Sequence, residues 1–512
     1  SSCSAPLRDV QMDILSYLLA ALTPVNLLLA VGGVVAGTII GALPGLTATM
    51  AIAVLTPMTF GLPPASALVA LGAIYTGAIY GGAYAAILIN TPGTPSAIAT
   101  TFDGFPMAKR GDGDLALTLA NFASVFGGLV GALFLFLLAP PLAEFALAFG
   151  PVEYFWLAIL GLTLISALSE GSLLKGIIGC CIGLLISMSG SAIVGGDIRF
   201  TFGTPALLGG VNIVVALIGL FCVPVLIDLV SKPDAHLKVT STLRGFRIRE
   251  ATSLAWKGKW NLIRSSVIGS VIGVLPAAGG AIASLIAYAE ARRASKTPES
   301  FGRGEPNGVI ASESANNATV GGGFIPTLTL GIPGTPPDAI ILGALLVHGV
   351  RTGPNLFSEQ SQIVYTFMFG LVIATILMLP IGLVLGRYAF RTVIAVPKYV
   401  LAPMIALMTI LGTYAIQNSI EDVAIMLTLG VAAWLLGRAG FGPAPIVLGV
   451  VLGPIAEQGF VQGWLIGGAT DQRFETFFMR PIAATIIVVA AIIAFYPVLT
   501  KRLQSVVKRN ED

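Results

Sequence analysis

Two short segments carry the residue types that could hold an anion. Ile89-Asn90-Thr91-Pro92-Gly93-Thr94-Pro95-Ser96 sets two prolines around a glycine. Each proline removes an amide donor and stops a helix, and Gly93 permits a positive φ, so the spacing predicts an unwound turn between two half-helices. The pattern returns as Gly331-Ile332-Pro333-Gly334-Thr335-Pro336-Pro337-Asp338. The half-helix after each turn would offer unpaired amides and the positive end of its dipole, beside Thr94 and Ser96 in one copy and Thr335 in the other. Neither segment contains Lys or Arg, so this is a carboxylate cradle without permanent positive charge. The expected contacts are the side chains of Asn90, Thr94, Ser96 and Thr335 with the neighbouring Thr91, while Pro92, Gly93, Pro95, Pro333, Gly334 and Pro336 set the backbone. Read singly, a tight turn in an external loop is the lesser alternative for either segment; duplication argues further against it.

A second constellation is Ser312-Glu313-Ser314-Ala315-Asn316-Asn317-Ala318-Thr319, directly before Gly321-Gly322-Gly323. The glycines suggest a helix break there. At such a break Asn316 and Asn317 would offer donors to an anion and acceptors to a cation, or else would cap a helix. Glu313 is the acid to watch, because a carboxylate at membrane depth is costly unless paired, protonated or ion-bound. At the water interface it would be an ordinary charge at a helix N-terminus. A cradle that neutralises so little charge needs cations to share the load. Their expected ligands are Glu313 and backbone carbonyls freed at two further breaks, Pro44-Gly45 and Pro276.

The elements that position these residues lie in a bilayer. Of 512 residues 55% are hydrophobic and 10% charged, with mean hydropathy +0.91; soluble chains carry about 25% charged residues. Ile14 to Phe102 contains no charged residue at all. Apolar stretches recur at Leu115–Ala143, Gly176–Gly196, Phe200–Ile227, Ser265–Ala289, Gln360–Gly386, Tyr399–Ile420 and Pro481–Thr500, with shorter ones at Tyr154–Ser169, Val423–Gly437 and Ala439–Ala456. The expectation is an all-α polytopic membrane protein of about ten to twelve membrane elements. Continuous apolar runs, without dyad alternation, argue against a β-barrel. Glycine and proline concentrate inside these stretches, which predicts broken helices or re-entrant hairpins lining a protein-enclosed cavity.

Charge supplies the topology. Residues 230–264 form a basic linker with Lys232, Lys238, Arg244, Arg247, Arg249, Lys257, Lys259 and Arg264, cytoplasmic by the positive-inside rule. The loop with Arg387, Arg391 and Lys398 and the tail 501–512 with Lys501, Arg502, Lys508 and Arg509 belong on the same side. Residues 1–11 precede a natural-looking start at Met12 and read as a tail or remnant outside the fold. A net charge of +3 suggests no nucleic-acid partner.

The chain also repeats itself. Gly37-Thr-Ile-Ile-Gly41-Ala-Leu43-Pro44 matches Gly269-Ser-Val-Ile-Gly273-Val-Leu275-Pro276 at an offset of 232, and Gly81-Gly82 with Thr91 to Pro95 matches Gly322-Gly323 with Ile332 to Pro336 at 241. The halves are 12–229 and 265–500. Counting spans from the basic linker puts Lys109 in the cytoplasm and Arg351 outside. Equivalent loops on opposite sides predict inverted repeats, with the site where the halves meet near the midplane.

GALPGLTATMAIAVLTP, GAIYTGAIYGGAYAAILINTPGTPSAIATTFDG, SESANNATVGGGF and LTLGIPGTPPDAIILGALLVHG resemble the large membrane subunit of the tripartite tricarboxylate transporter family, through essentially the whole chain after Met12. One departure is Ser312, where the family pattern would lead one to expect proline. The resemblance implies a bacterial inner-membrane secondary transporter that takes a carboxylate substrate from a periplasmic solute-binding protein. It implies a small membrane subunit of about four spans as partner, co-transported Na+ or H+, and no resident cofactor. An intramembrane enzyme is the rival from another class, and nothing equips it. There is no HExxH, no P-loop, only His236 and His348, and Cys180 and Cys181 point in different directions on a helix. His348 reads as helix-end packing, and Cys180, Cys181 and Cys222 as small core residues. A channel or structural component is the other rival, which a current without substrate saturation would favour.

Overall fold

The computed structural model describes residues 14–168, 173–231, 245–276, 278–389 and 396–494. The N-terminal tail, the middle of the basic linker with His236, Arg391 and the basic tail lie outside the described residues. After a short helix at 14–21 the chain runs α1 (Pro24–Ala42), α2 (Ala48–Leu55), α3 (Pro64–Ile89), α4 (Ile98–Met107), α5 (Gly113–Ala146), α6 (Pro151–Leu168), α7 (Leu173–Ser187), α8 (Ile213–Ser231) and α9 (Ile248–Lys257). It continues through α10 (Lys259–Val274), α11 (Gly279–Arg293), α12 (Pro306–Leu330), α13 (Pro336–Val347), α14 (Ser361–Val384), α15 (Lys398–Gln417), α16 (Ile420–Arg438) and α17 (Pro443–Ala469). Among the described residues the only sheet is a two-stranded ribbon, β1 (Gly190–Ser191) against β2 (Ile198–Arg199).

Among the described residues eight helices are long and apolar enough to cross a membrane, and five shorter apolar ones accompany them. The protein is therefore an all-α multi-pass membrane protein. α12 is not among the eight, although it is 25 residues long and 22 of them are buried. Its Ser, Ala, Asn, Thr and Gly side chains give little hydropathy, and burial inside protein on every side leaves no apolar stripe to read.

The chain forms two compact units, each drawn from both halves of the sequence: 1–143 with 221–418, and 144–220 with 419–512. In the second unit α17 packs on α6 and α7 through glycines. A Cβ at Gly183 would lie 1.9 Å from the Ile446 carbonyl, and one at Gly459 2.5 Å from that of Pro151. Ion pairs tie this unit at Arg480–Glu153 (3.0 Å) and Arg199–Glu457 (2.7 Å).

The first unit holds both Pro-Gly turns. α1 packs on α3, and α10 on α12, each as a close pair in which helix backbones nearly touch. A Cβ at Gly37 would meet the Ile74 carbonyl at 2.1 Å, and one at the matching Gly269 the Ala315 carbonyl at 2.2 Å. The short helices after α1 and α10 then cross between halves. α2 packs on α13, which follows the second turn, and α11 packs on Pro95–Ala97 and α4, which follow the first.

Candidate functional site

α3 ends at Asn90, which takes the left-handed conformation (φ 56), and α12 ends likewise at Gly331 (φ 69). Chain direction then changes through the two Pro-Gly turns, as the proline spacing predicts. Each turn is pinned at the same corner. A Cβ at Gly93 would lie 2.2 Å from the Gly41 carbonyl and 2.8 Å from the Gly82 Cα; one at Gly334 would lie 2.7 Å from the Gly273 carbonyl and 2.8 Å from the Gly323 Cα. Gly41 pairs with Gly273, Gly82 with Gly323 and Gly93 with Gly334 at the sequence offsets 232 and 241, so both matched motifs build one three-way contact. The carbonyls there belong to the last turns of α1 and α10, where a helix has no internal donors left. Pro44, the exposed Gly45 (φ 91) and Pro276 follow immediately.

At the first turn Thr94 and Ser96 are buried and their hydroxyls are 3.0 Å apart. No side chain caps the short helix that Thr94 precedes. Asn90 and Pro95 are exposed; Thr91 and Pro92 are partly so. The Ser96 carbonyl accepts from Ser284 of α11 at 3.0 Å. At the first turn of α11 a Cβ on Gly280 would lie 2.3 Å from Asn316 Oδ1, 3.0 Å from Ser96 Cβ and 3.4 Å from the Thr319 hydroxyl. Ser96, Asn316 and Thr319 thus converge where α11 begins, and the absent side chain of Gly280 makes the room. Asn316 has no exposed surface, and neither its Oδ1 nor its Nδ2 has a partner. Asn317 is also fully buried. Its Nδ2 donates to the Glu313 carbonyl at 3.3 Å, while Oδ1 is unpaired.

The second turn is finished differently. Thr335 caps α13, its hydroxyl 3.4 Å from the Asp338 amide. That hydroxyl is 2.5 Å from Asp338 Oδ2 and 2.8 Å from the Tyr75 hydroxyl of α3. The amides expected to stand free at the second half-helix are therefore already served from within. The physical reason is local: Pro336 and Pro337 have no amide hydrogen, the Asp338 amide meets the Thr335 hydroxyl and the Ala339 amide donates to the Thr335 carbonyl at 3.2 Å; Asp338 itself stands where the first copy has Ala97.

The expected break at Gly321–Gly323 is absent. α12 runs unbroken from Pro306 to Leu330, so Asn316 and Asn317 sit in mid-helix and cap nothing. The glycines serve close packing instead, since a Cβ at Gly321 would strike the backbone of Gly131 at 2.2 Å and one at Gly322 the Ser270 carbonyl at 2.3 Å. Glu313, fully buried, accepts from Thr100 (2.5 Å) and Ser124 (2.9 Å), joining α12 to α4 and α5. Among the described residues no group of three His, Cys, Asp or Glu could hold a metal. His348 ends α13 beside Phe60.

A model of the tripartite tricarboxylate transporter TctA family matches residues 27–448, both turns and α12 included. The chain belongs to that family. It is thereby a membrane subunit of a tricarboxylate transporter. Over 504 residues it is 37% identical to a 52.8 kDa protein in the TAR-I ttuC' 3' region of Agrobacterium vitis, covering 97% of this chain and 99% of that one. A shorter protein in the TAR-II ttuC' 3' region of the same organism is 34% identical over 242 residues, 46% of this chain and 98% of its own. No solved structure matches.

Two features of this TctA-family chain escaped sequence reasoning. Tyr75 gave no signal, being one aromatic in an apolar run. Asp103 gave none either, yet it is fully buried and clasps the segment before α12. Its Oδ1 accepts from the amides of Gly302, Gly304 and Glu305 (2.7–2.9 Å) and its Oδ2 from Tyr288 (2.8 Å). Arg110 adds bonds to the carbonyls of Arg303 and Gly304.

Proposed function

We propose that this chain imports di- or tricarboxylates across the bacterial inner membrane by alternating access, driven by a Na+ or H+ gradient. Cargo comes from a periplasmic binding protein, and a small membrane subunit completes the assembly. The observation that carries the reading is Asn316. A buried amide left unpaired costs about 1–3 kcal/mol per group; a ligand with an acceptor for Nδ2 and a cation or hydroxyl for Oδ1 recovers that cost. A carboxylate accompanied by a cation has both. Ser96 and Thr94 add neutral hydroxyls, and the uncapped first turn of α11 adds a favourable dipole. The cation ligands in this reading are Asn316 Oδ1 and the carbonyls at the ends of α1 and α10 before Pro44-Gly45 and Pro276, with Glu313 behind them.

Opposite sidedness of the two halves belongs to the same proposal, and the two compact units, each composed of both halves, are what such a design needs, with the unit that carries both turns as the moving body. Lys109 and Arg351 are exposed. Cysteines placed there should label from the cytoplasm and from outside respectively; labelling from one side would reject the inverted repeat.

The test of the site is uptake of labelled citrate and succinate into proteoliposomes holding both membrane subunits, with binding protein outside and the cation gradient varied. Asn316→Leu should lower uptake at limiting cargo about 100-fold, the scale of a lost charge-assisted hydrogen bond plus a lost cation ligand. Parental uptake by that variant would remove Asn316 from the site. High-affinity uptake by this chain alone would remove the binding protein from the cycle.

A further inference from the structure

The second turn holds a carboxylate that transport of cargo at Asn316 leaves without a task. Asp338 is wholly buried, with Oδ2 on the Thr335 hydroxyl and Oδ1 meeting no donor. Tyr75 lies 2.8 Å from that same hydroxyl, so two hydroxyls in series end on one acid.

Each element packed there has been stripped of compensating charge. α3 brings Tyr75. α12 brings Gly323, whose Cβ would lie 2.4 Å from Oδ2, and its one acid, Glu313, is bonded to Thr100 and Ser124. The turn brings Gly334. α2 and the Thr56–Thr59 turn after it contain no titratable side chain. α10 meets the turn through Gly273, with Lys259 and Arg264 towards its other end, and α11 meets Thr335 through Gly279, with Tyr288, Glu290, Arg292 and Arg293 towards its far end. On α13 itself the other ionisable group is His348, at the far terminus beside Phe60. An ionised carboxylate held only by the hydroxyl and the nearby backbone amide of Thr335, with Oδ1 unpaired and no cation beside it, is poorly sustained in such a place, whereas the neutral acid is not.

From this geometry we infer that Asp338 carries the coupling proton, binding one H+ with each cargo and releasing it on the side where cargo leaves. The inference rests on the proposed cargo site at Asn316. Adjacent glycines link the two places: a Cβ on Gly280 would reach Asn316 Oδ1, and one on Gly279 would lie 3.9 Å from Thr335 Cγ2. Cargo is anionic and the surroundings hold no Lys or Arg, so cargo binds more tightly when Asp338 is neutral. By reciprocity, bound cargo favours the neutral acid.

The experiment uses the assembled membrane subunits in proteoliposomes with an entrapped pH dye and labelled succinate, without Na+. The parent should admit protons with cargo, and its cargo KM should rise with pH by as much as about tenfold per unit, the limit for one linked proton. Asp338→Asn, which mimics the neutral acid, should keep a low KM at high pH and lose cargo-evoked proton entry. Any pH dependence left in that variant belongs to the cargo. Should Asp338→Asn fail to assemble, Tyr75→Phe serves: it weakens the donor chain to the carboxylate, so the KM profile should move to higher pH with KM at low pH unchanged. Proton entry retained in Asp338→Asn, or an unmoved profile in Tyr75→Phe, overturns the inference; uptake driven only by a Na+ gradient in the parent does so too. Loss of uptake in Asn316→Leu alongside retained proton entry in Asp338→Asn would leave the cargo site standing and this assignment fallen. Parental uptake by Asn316→Leu would strike the cargo site instead.

Discussion

At the first Pro-Gly turn Thr94 and Ser96 bond each other, and beside them Asn316 has both amide atoms bare; at the second, Thr335 is held between Tyr75 and Asp338. Tyr75 and Asn316 occupy matching places in the repeat, 241 residues apart, as do Ala97 and Asp338. One backbone device has thus been finished twice, once with side chains that await a partner and once with two hydroxyls chained onto a buried acid. Duplication supplies the rigid corner, and divergence at two positions decides what each corner can bind.

The corner itself offers the harshest test of that comparison. Gly93→Ala drives a Cβ to 2.2 Å from the Gly41 carbonyl, backbone against backbone, whereas Gly334→Ala reaches 2.7 Å from Gly273. Overpacking of this kind costs about 1–3 kcal/mol, so both should lower the melting temperature in detergent, Gly93→Ala the more. The reverse order would mean the two corners are not built alike.

A smaller effect should separate cargo from stability in α11. Gly280→Ala pushes on Asn316 Oδ1 and should raise cargo KM about tenfold with melting nearly unchanged. Gly279 has φ 59 and a spacious neighbour. Alanine there should therefore cost about 1–2 kcal/mol of stability, from backbone strain alone, with KM held. Equal KM changes in both would place the cargo elsewhere on the α11 terminus.

The smallest pair compares the threonines. Thr335→Ala removes a helix cap and the donor to Asp338, about 1–2 kcal/mol of stability, read by thermal unfolding. Thr94→Ala removes a hydroxyl bonded only to Ser96 among the described residues, and should raise cargo KM threefold to tenfold, about one hydrogen bond, with stability kept. If Thr94→Ala melts early and Thr335→Ala only weakens uptake, the open and closed corners have been assigned the wrong way round.

Much of the candidate site was legible in the sequence. Pro92-Gly93 and Pro333-Gly334 predicted turns, and turns are there, because proline's missing amide and fixed φ act wherever the segment lies. Asn316, Ser96 and Thr94 were legible as polar residues out of place in an apolar chain. What misled was Gly321-Gly322-Gly323. Glycine in a helix signals a break or a close approach of another backbone, and those alternatives differ only in what stands opposite, here Gly131 and Ser270. Asp338 was visible as a residue but not as a participant, since its isolation depends on Gly323 and Gly334 having no side chains and on Tyr75 arriving from α3.

The sequence by itself determined the solvent, the helical class and the two turns, all of which follow from composition and from rules acting within a few residues. Only the tertiary structure decided that α12 is continuous, that Asp103 is a clasp, that the second turn is closed and that Asn316 is left unpaired beside Ser96. The hydrogen bonds that decide them span 185 to 260 residues of chain, and whether a buried polar atom is paired is set by which side chain comes to meet it.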